Sequence, residues 1–88
     1  MITIYIGMND KDLHKQVLSD EAFYKAIANY IESCTIFEAK GLYHGELEKS
    51  LKLEIYDENE EKYIAIAKTL CRELNQNEII VNGKFIAA

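Results

Sequence analysis

Few side chains in this chain are of types that do chemistry, and their spacing limits what they can do. The histidines are His14 and His44. Neither has a second ligand-type residue one helical turn away on a helix, so no metal centre is expected. Cys34 and Cys71 have no base beside them except Arg72, and neighbours in sequence do not face each other on a helix. Both thiols therefore read as core. Ser50 is near His44 in sequence, but no Gly-x-Ser-x-Gly elbow surrounds it and no acid is positioned for a relay. No catalytic residue is named on these grounds. The acidic run Asp57 to Glu61 lacks the form of a calcium loop, and no glycine-rich phosphate loop occurs, so no cofactor is expected.

Two segments have the chemistry of ligand binding. The polar connection Met8 to Leu18 carries Asn9, Asp10, Lys11, His14 and Lys15, and it exceeds the usual ~2 to 6 residues of such links. The second segment is Gly41-Leu42-Tyr43-His44-Gly45, whose glycines permit close backbone approach. The expected ligand-binding set is Tyr5, Asn9, Lys11, His14, Lys15, Tyr43 and His44, brought together between subunits. Tyrosine rings would stack, Lys11 or Lys15 would neutralise charge, and N–H groups at a helix start near Ser19 would donate to anionic oxygens. The plainer alternatives are a solvated loop and a hairpin tip.

The elements that must position these residues begin with Ile2 to Gly7. Ile2, Ile4 and Ile6 alternate with Thr3, Tyr5 and Gly7, the period of a central strand with one face buried. Ser19 is a suitable N-cap, with Asp20 and Glu21 behind it, for a helix running to about Ser33. Its apolar stripe is Phe23, Ile27, Tyr30, Ile31 and Cys34. Thr35 to Tyr43 and Ser50 to Tyr56 read as strands, joined through Gly41 to Lys49 by a long hairpin connection or by paired strand ends. Asp57 and Glu60 have the spacing of a capping box, opening a helix with Tyr63, Ile66, Ala67, Leu70 and Leu74 on its apolar face. Asn75 to Asn77 is a plausible stop. Asn82-Gly83 between apolar triplets predicts a type I′ hairpin, the alternative being one strand with a glycine bulge.

The order is thus β-α-β-β-α-β with room for an extra C-terminal strand. It predicts a single α+β domain over residues 1–88: a ferredoxin-like sandwich with an antiparallel sheet and two helices on one face. Thr3, Tyr5, Lys52, Glu54 and Tyr56 would lie on the other, open face. Over nearly its whole length the chain resembles small uncharacterised bacterial and phage ferredoxin-like proteins whose first strand reads Thr-x-aliphatic-Tyr-aromatic-Gly. Here that motif is Thr3, Ile4, Tyr5, Ile6 and Gly7, with Ile6 in the aromatic position. Phe23, the pair Glu48 and Ser50, and Gln76 extend the resemblance. It implies the fold and no activity.

Composition sets the remaining limits. A net charge of −5 runs against general binding to nucleic acid or anionic membranes, and the open face lacks the consensus of RNA-recognition sheets. Two cysteines are too few for a disulfide framework, which points to reduced thiols in the cytoplasm. No signal peptide or membrane-spanning run is recognised. A chain of 88 residues buries a thin core, so a homodimer or higher homo-oligomer covering the open face is expected. The functional expectation is a non-catalytic oligomeric binding protein for a small polar or anionic ligand. A nucleotide-sequestering or counter-defence role would apply if the source is a phage. A protein-protein inhibitor or adaptor, and a small dimeric enzyme, are the alternatives.

Overall fold

A computed structural model describes the whole chain, Met1 to Ala88. Its elements are β1 (Ile2–Gly7), α1 (Asp20–Ala28), β2 (Thr35–Tyr43), β3 (Glu46–Ile55), α2 (Glu60–Glu73), β4 (Glu78–Val81) and β5 (Lys84–Ala87). The five strands form one sheet in the order β2-β3-β1-β4-β5, every neighbouring pair antiparallel. The fold is α+β. β1 is central, as its alternation predicts, with β3 on one side and β4 on the other.

Each helix spans a gap in the sheet: α1 carries the chain from β1 past β3 to β2, and α2 carries it from β3 past β1 to β4. Both deliver apolar faces to one core. Ile2, Ile4 and Ile6 of β1 and Leu51, Leu53 and Ile55 of β3 meet Phe23 and Ile27 from α1. Tyr63, Ala67, Leu70 and Cys71 from α2 join the same cluster. Removing each large side chain of this kind from water is worth about 1.5–3 kcal/mol. The opposite face of the sheet has no helix over it.

Several boundaries differ from the sequence reading, each for a local reason. α1 ends at Ala28 rather than near Ser33. Asn29 and Tyr30 are poor helix formers, and the N–H of Asn29 is shared between the carbonyls of Lys25 and Ala26, which tightens the last turn. Ile31 is still buried, below the helix end. At α2 the N-cap is Asn59, whose side chain accepts from the N–H of Lys62 at 3.2 Å, so the Asp57–Glu60 capping box does not form. Asp57 instead closes the preceding turn, accepting from the N–H groups of Glu58 (2.7 Å) and Asn59 (3.0 Å) and from the Tyr63 hydroxyl (3.0 Å). Glu60 turns to Lys84, at 2.8 Å.

β3 starts at Glu46, four residues before the expected Ser50, because the β2–β3 turn is minimal. His44 and Gly45 take φ values of 50° and 78°, the left-handed pair of a type I′ turn, and pairing runs unbroken from Tyr43↔Glu46 to Thr35↔Glu54. The segment Gly41 to Lys49 is therefore paired strand ends. Asn82 and Gly83, at 48° and 81°, repeat the device and create β5, which makes this a hairpin and not a bulge.

Candidate functional site

Register places the side chains of the helix-free face in rows across the sheet. One row runs Phe37–Lys52–Tyr5–Ile80–Phe85 through all five strands. The next, Ala39–Ser50–Gly7, is made of small residues, and Gly41 opposite Glu48 continues it. Large side chains beside small ones leave a trough. Its volume is about 770 Å³, and the Asn9–His14 loop, the Gln76–Glu78 stretch and the β2–β3 hairpin wall it in.

The trough floor explains Gly7. The Glu48 carboxylate lies across it, with Oε1 2.6 Å from where a Cβ would stand. Glu48 Oε2 in turn accepts from the N–H of Asn9 at 2.9 Å, and the Asn9 carbonyl accepts from Gln76 Nε2 at 2.9 Å. Gln76 is only 6% exposed, and a second bond from its amide to the Leu74 carbonyl (3.3 Å) holds it. Ser50 is also buried, its Oγ 3.1 Å from the Cβ position of Gly41, where any side chain would crowd it.

The first-strand loop is braced rather than loose. The Asp10 carboxylate accepts from the N–H groups of Asp12 and Leu13, both at 3.0 Å, and from Asn75 Nδ2 at 2.8 Å. The Lys11 N–H donates to the Asn75 carbonyl at 3.0 Å, fastening the loop to the α2–β4 connection. The bond from Asn75, followed by those from the loop backbone, holds the Asp10 carboxyl below its ordinary 3.8. Asp10 therefore stays ionised and committed to the loop. His14 sits at φ 56°, where the loop reverses and its N–H reaches the Asp10 carbonyl.

Of the seven residues expected to bind ligand, Tyr5, Asn9, Lys11, His14, Tyr43 and His44 line this one trough, and Lys15 does not. These six converge within a single chain. The helix start at Ser19 lies outside it: the Ser19 hydroxyl accepts from the Ala22 N–H, and the Asp20 carboxylate accepts from Gln16 and Lys49. Sequence reasoning missed Lys40, Glu46, Glu78, Ile80 and Phe85. The signal for Glu46 lay in the polar alternation Glu46, Glu48, Ser50, which continues the strand pattern upstream of Ser50. Glu48 and Gln76, singled out through the resemblance, and Ser50, set aside as a nucleophile, also line the trough.

The lining is mixed in charge. Asp10, Glu46, Glu48 and Glu78 share the lining with Lys11 and the two histidines, while the Lys40 side chain, in register with Lys49, lies on the helix side of β2. Tyr43 and His44 meet edge to face, with ring centroids 4.3 Å apart. Lys52 is tied to Glu54 at 3.3 Å and sits over the Phe37 ring. Ser50 is opposite Gly7 and Ala39 in register while His44 is in the hairpin turn, so no hydrogen bond joins them as nucleophile and base. Burial pushes both thiols up; the Cys71 Sγ is 3.2 Å from the Gln76 carbonyl in the core. No three His, Cys, Asp or Glu side chains converge as donors for a metal ion. No helix is long and apolar enough to cross a membrane. No protein-family model, curated protein or solved structure matches the chain.

Proposed function

We propose that this chain is a non-catalytic binding protein whose sheet trough holds a small polar or anionic ligand built on a flat ring, a nucleotide-like molecule being the fullest match. The observation that carries this reading is the convergence of Tyr5, Tyr43 and Phe85 with Lys11 around one 770 Å³ trough floored by small residues. Sites for small molecules have such volumes, apolar or aromatic walls and a few placed polar groups. A ring would stack on the tyrosines, Glu46 and Glu78 would accept from its N–H groups, and Lys11 would meet its anionic end. In fold terms, we read the β-α-β-β-α-β order as a ferredoxin-like sandwich extended by β5. Cytoplasmic residence goes with its two unpaired thiols. If the chain is phage-encoded, sequestration of a signalling or precursor nucleotide is the form this function takes.

Native mass spectrometry of the protein from its expression host tests the proposal. The expected result is a discrete excess mass on the 10.1 kDa chain that Tyr5→Ala removes. A nucleotide panel in a thermal-shift assay is the second arm, since ligand at about 100 times its Kd adds about 2.7 kcal/mol of stability. A bare chain that no nucleotide stabilises would refute the reading. One observation favours a protein partner instead: Leu42 and Leu47, at the end of the β2–β3 hairpin, are 72% and 68% exposed. A stable heterocomplex lost on Leu42→Ser with the trough intact would establish that alternative.

A further inference from the structure

The two edges of the sheet are unlike. β5 is four residues long and begins at Lys84, an ordinary protected edge. β2 is nine residues long, contains no proline and pairs with β3 without a bulge. Its outer side has no neighbour, and Ile36, Phe37, Leu42 and Tyr43 along it are exposed. A long regular edge of this kind is a template for another strand, and natural proteins either break such edges up or use them.

We infer that β2 pairs antiparallel with β2 of a second copy about a two-fold axis midway between the two copies of Ala39, joining two five-stranded sheets into one. The axis position follows from side-chain parity and charge. A two-fold perpendicular to the sheet keeps each face on its own side, so it must run midway between a residue and that residue's own copy, and successive allowed registers differ by a one-residue move of that centre. Centring on Glu38 sets Glu38 opposite its own copy; centring on Lys40 does the same to Lys40. Like charges directly opposite are destabilising. Centring on Ala39 sets Glu38 opposite the partner's Lys40, twice by symmetry. The same register pairs Ile36 with the partner's Leu42 and Thr35 with the partner's Tyr43.

Glu38 and Lys40 are available for this. Glu38 has a side chain 62% exposed, and its contacts, Lys49 at 3.6 Å and the Tyr24 hydroxyl at 3.4 Å, are long. Lys40 makes no ion pair. The register also sets the partner's Phe37 opposite Gly41, which has no side chain to compete for that space and which lines the trough. Each subunit thereby adds an aromatic ring to the rim of the other's trough. Pairing consumes both long edges and leaves only the four-residue β5 strands outside, so the assembly closes at two. The helix-free face, which size alone suggests is covered, stays open. The pairing stands whether or not the trough binds a ligand.

Sedimentation equilibrium of the full chain over the micromolar range tests it. The wild type is expected at twice the 10.1 kDa chain mass. Lys40→Glu sets carboxylates opposite one another at both symmetric positions and is expected to weaken the dimer about 10- to 100-fold. The double exchange Glu38→Lys with Lys40→Glu restores opposite charges and is expected to recover dimerisation. A monomeric wild type overturns the inference. So does a Lys40→Glu protein that dimerises as tightly as wild type, or a double exchange that fails to recover while its thermal melt shows a folded chain.

Discussion

Gly7→Ala is the perturbation that reads the trough floor most directly. By itself an alanine in a strand is worth about 0.5–1 kcal/mol over glycine, because the unfolded chain loses freedom. Here the new methyl lands 2.6 Å from Glu48 Oε1 and 2.8 Å from its Cδ, and the carboxylate must leave. Its departure breaks the 2.9 Å bond from the Asn9 N–H. A hydrogen bond to a charged acceptor contributes about 1.5–3 kcal/mol, and Glu48, half-buried, belongs at the low end. The net expectation is a loss of about 0.5–1 kcal/mol, equivalent to about 2–8 °C in melting temperature for a domain of this size. In a Glu48→Ala background the clash is absent, and the same Gly7→Ala change is expected to stabilise by about 0.5–1 kcal/mol. Urea unfolding of the wild type, both single variants and the double variant gives the coupling, expected at about 1–2 kcal/mol. Effects additive within about 0.3 kcal/mol would refute the account of Gly7 as the residue that makes room for Glu48.

Two further outcomes follow from local structure. His44→Asn is expected to raise stability by a few tenths to about 1 kcal/mol in a thermal melt, because His44 holds φ 50° in a type I′ turn where Asn-Gly is the preferred pair; an unchanged or lower melting temperature would count against that turn geometry. Acid is expected to destabilise the fold. Asp57 is held below its ordinary 3.8 by the Asn59 N–H and then the Tyr63 hydroxyl, Asp20 by Lys49 and then Gln16, and Glu60 below 4.5 by Lys84 and then Asn82. A carboxyl with a depressed folded-state pKa binds fewer protons folded than unfolded, so its stabilisation is complete above the unfolded value and is lost as pH falls through the folded one. Urea midpoints measured from about pH 5 down to pH 3 should fall, and Asp57→Asn should flatten that dependence.

The fold was legible where one-dimensional pattern and three-dimensional environment coincide. The isoleucine alternation of β1 and the leucine alternation of β3 each report one buried face, and Asn82-Gly83 reports a backbone conformation few other pairs adopt. Where two local solutions compete, sequence did not choose. Asp57 and Asn59 are both good caps, and the choice fell to Asn59 because the Asp57 carboxylate is drawn to the Tyr63 hydroxyl. The early start of β3 was hidden because His44-Gly45 is not one of the Asn-Gly, Asp-Gly or Gly-Gly pairs that announce a type I′ turn.

The trough was legible only in part, since register assembles it. Tyr5, Lys52 and Phe37 become neighbours through pairing of strands distant in the chain, and no spacing rule connects Gly7 with Glu48.

Register also localises the charge argument. The chain carries −5, which runs against general binding to nucleic acid or anionic membranes but does not describe one trough. Within the trough, though, Asp10 is consumed by its own loop and Asn75, and Glu48 by the Asn9 N–H. The carboxylates left to face a ligand are Glu46 and Glu78, with Lys11 as the lysine beside them. A site with a few free charges of both signs favours a molecule with a polar ring at one end and a modest negative charge at the other over a polyanion. Binding in such a site depends weakly on salt, unlike the steep dependence of proteins that bind by neutralising phosphates.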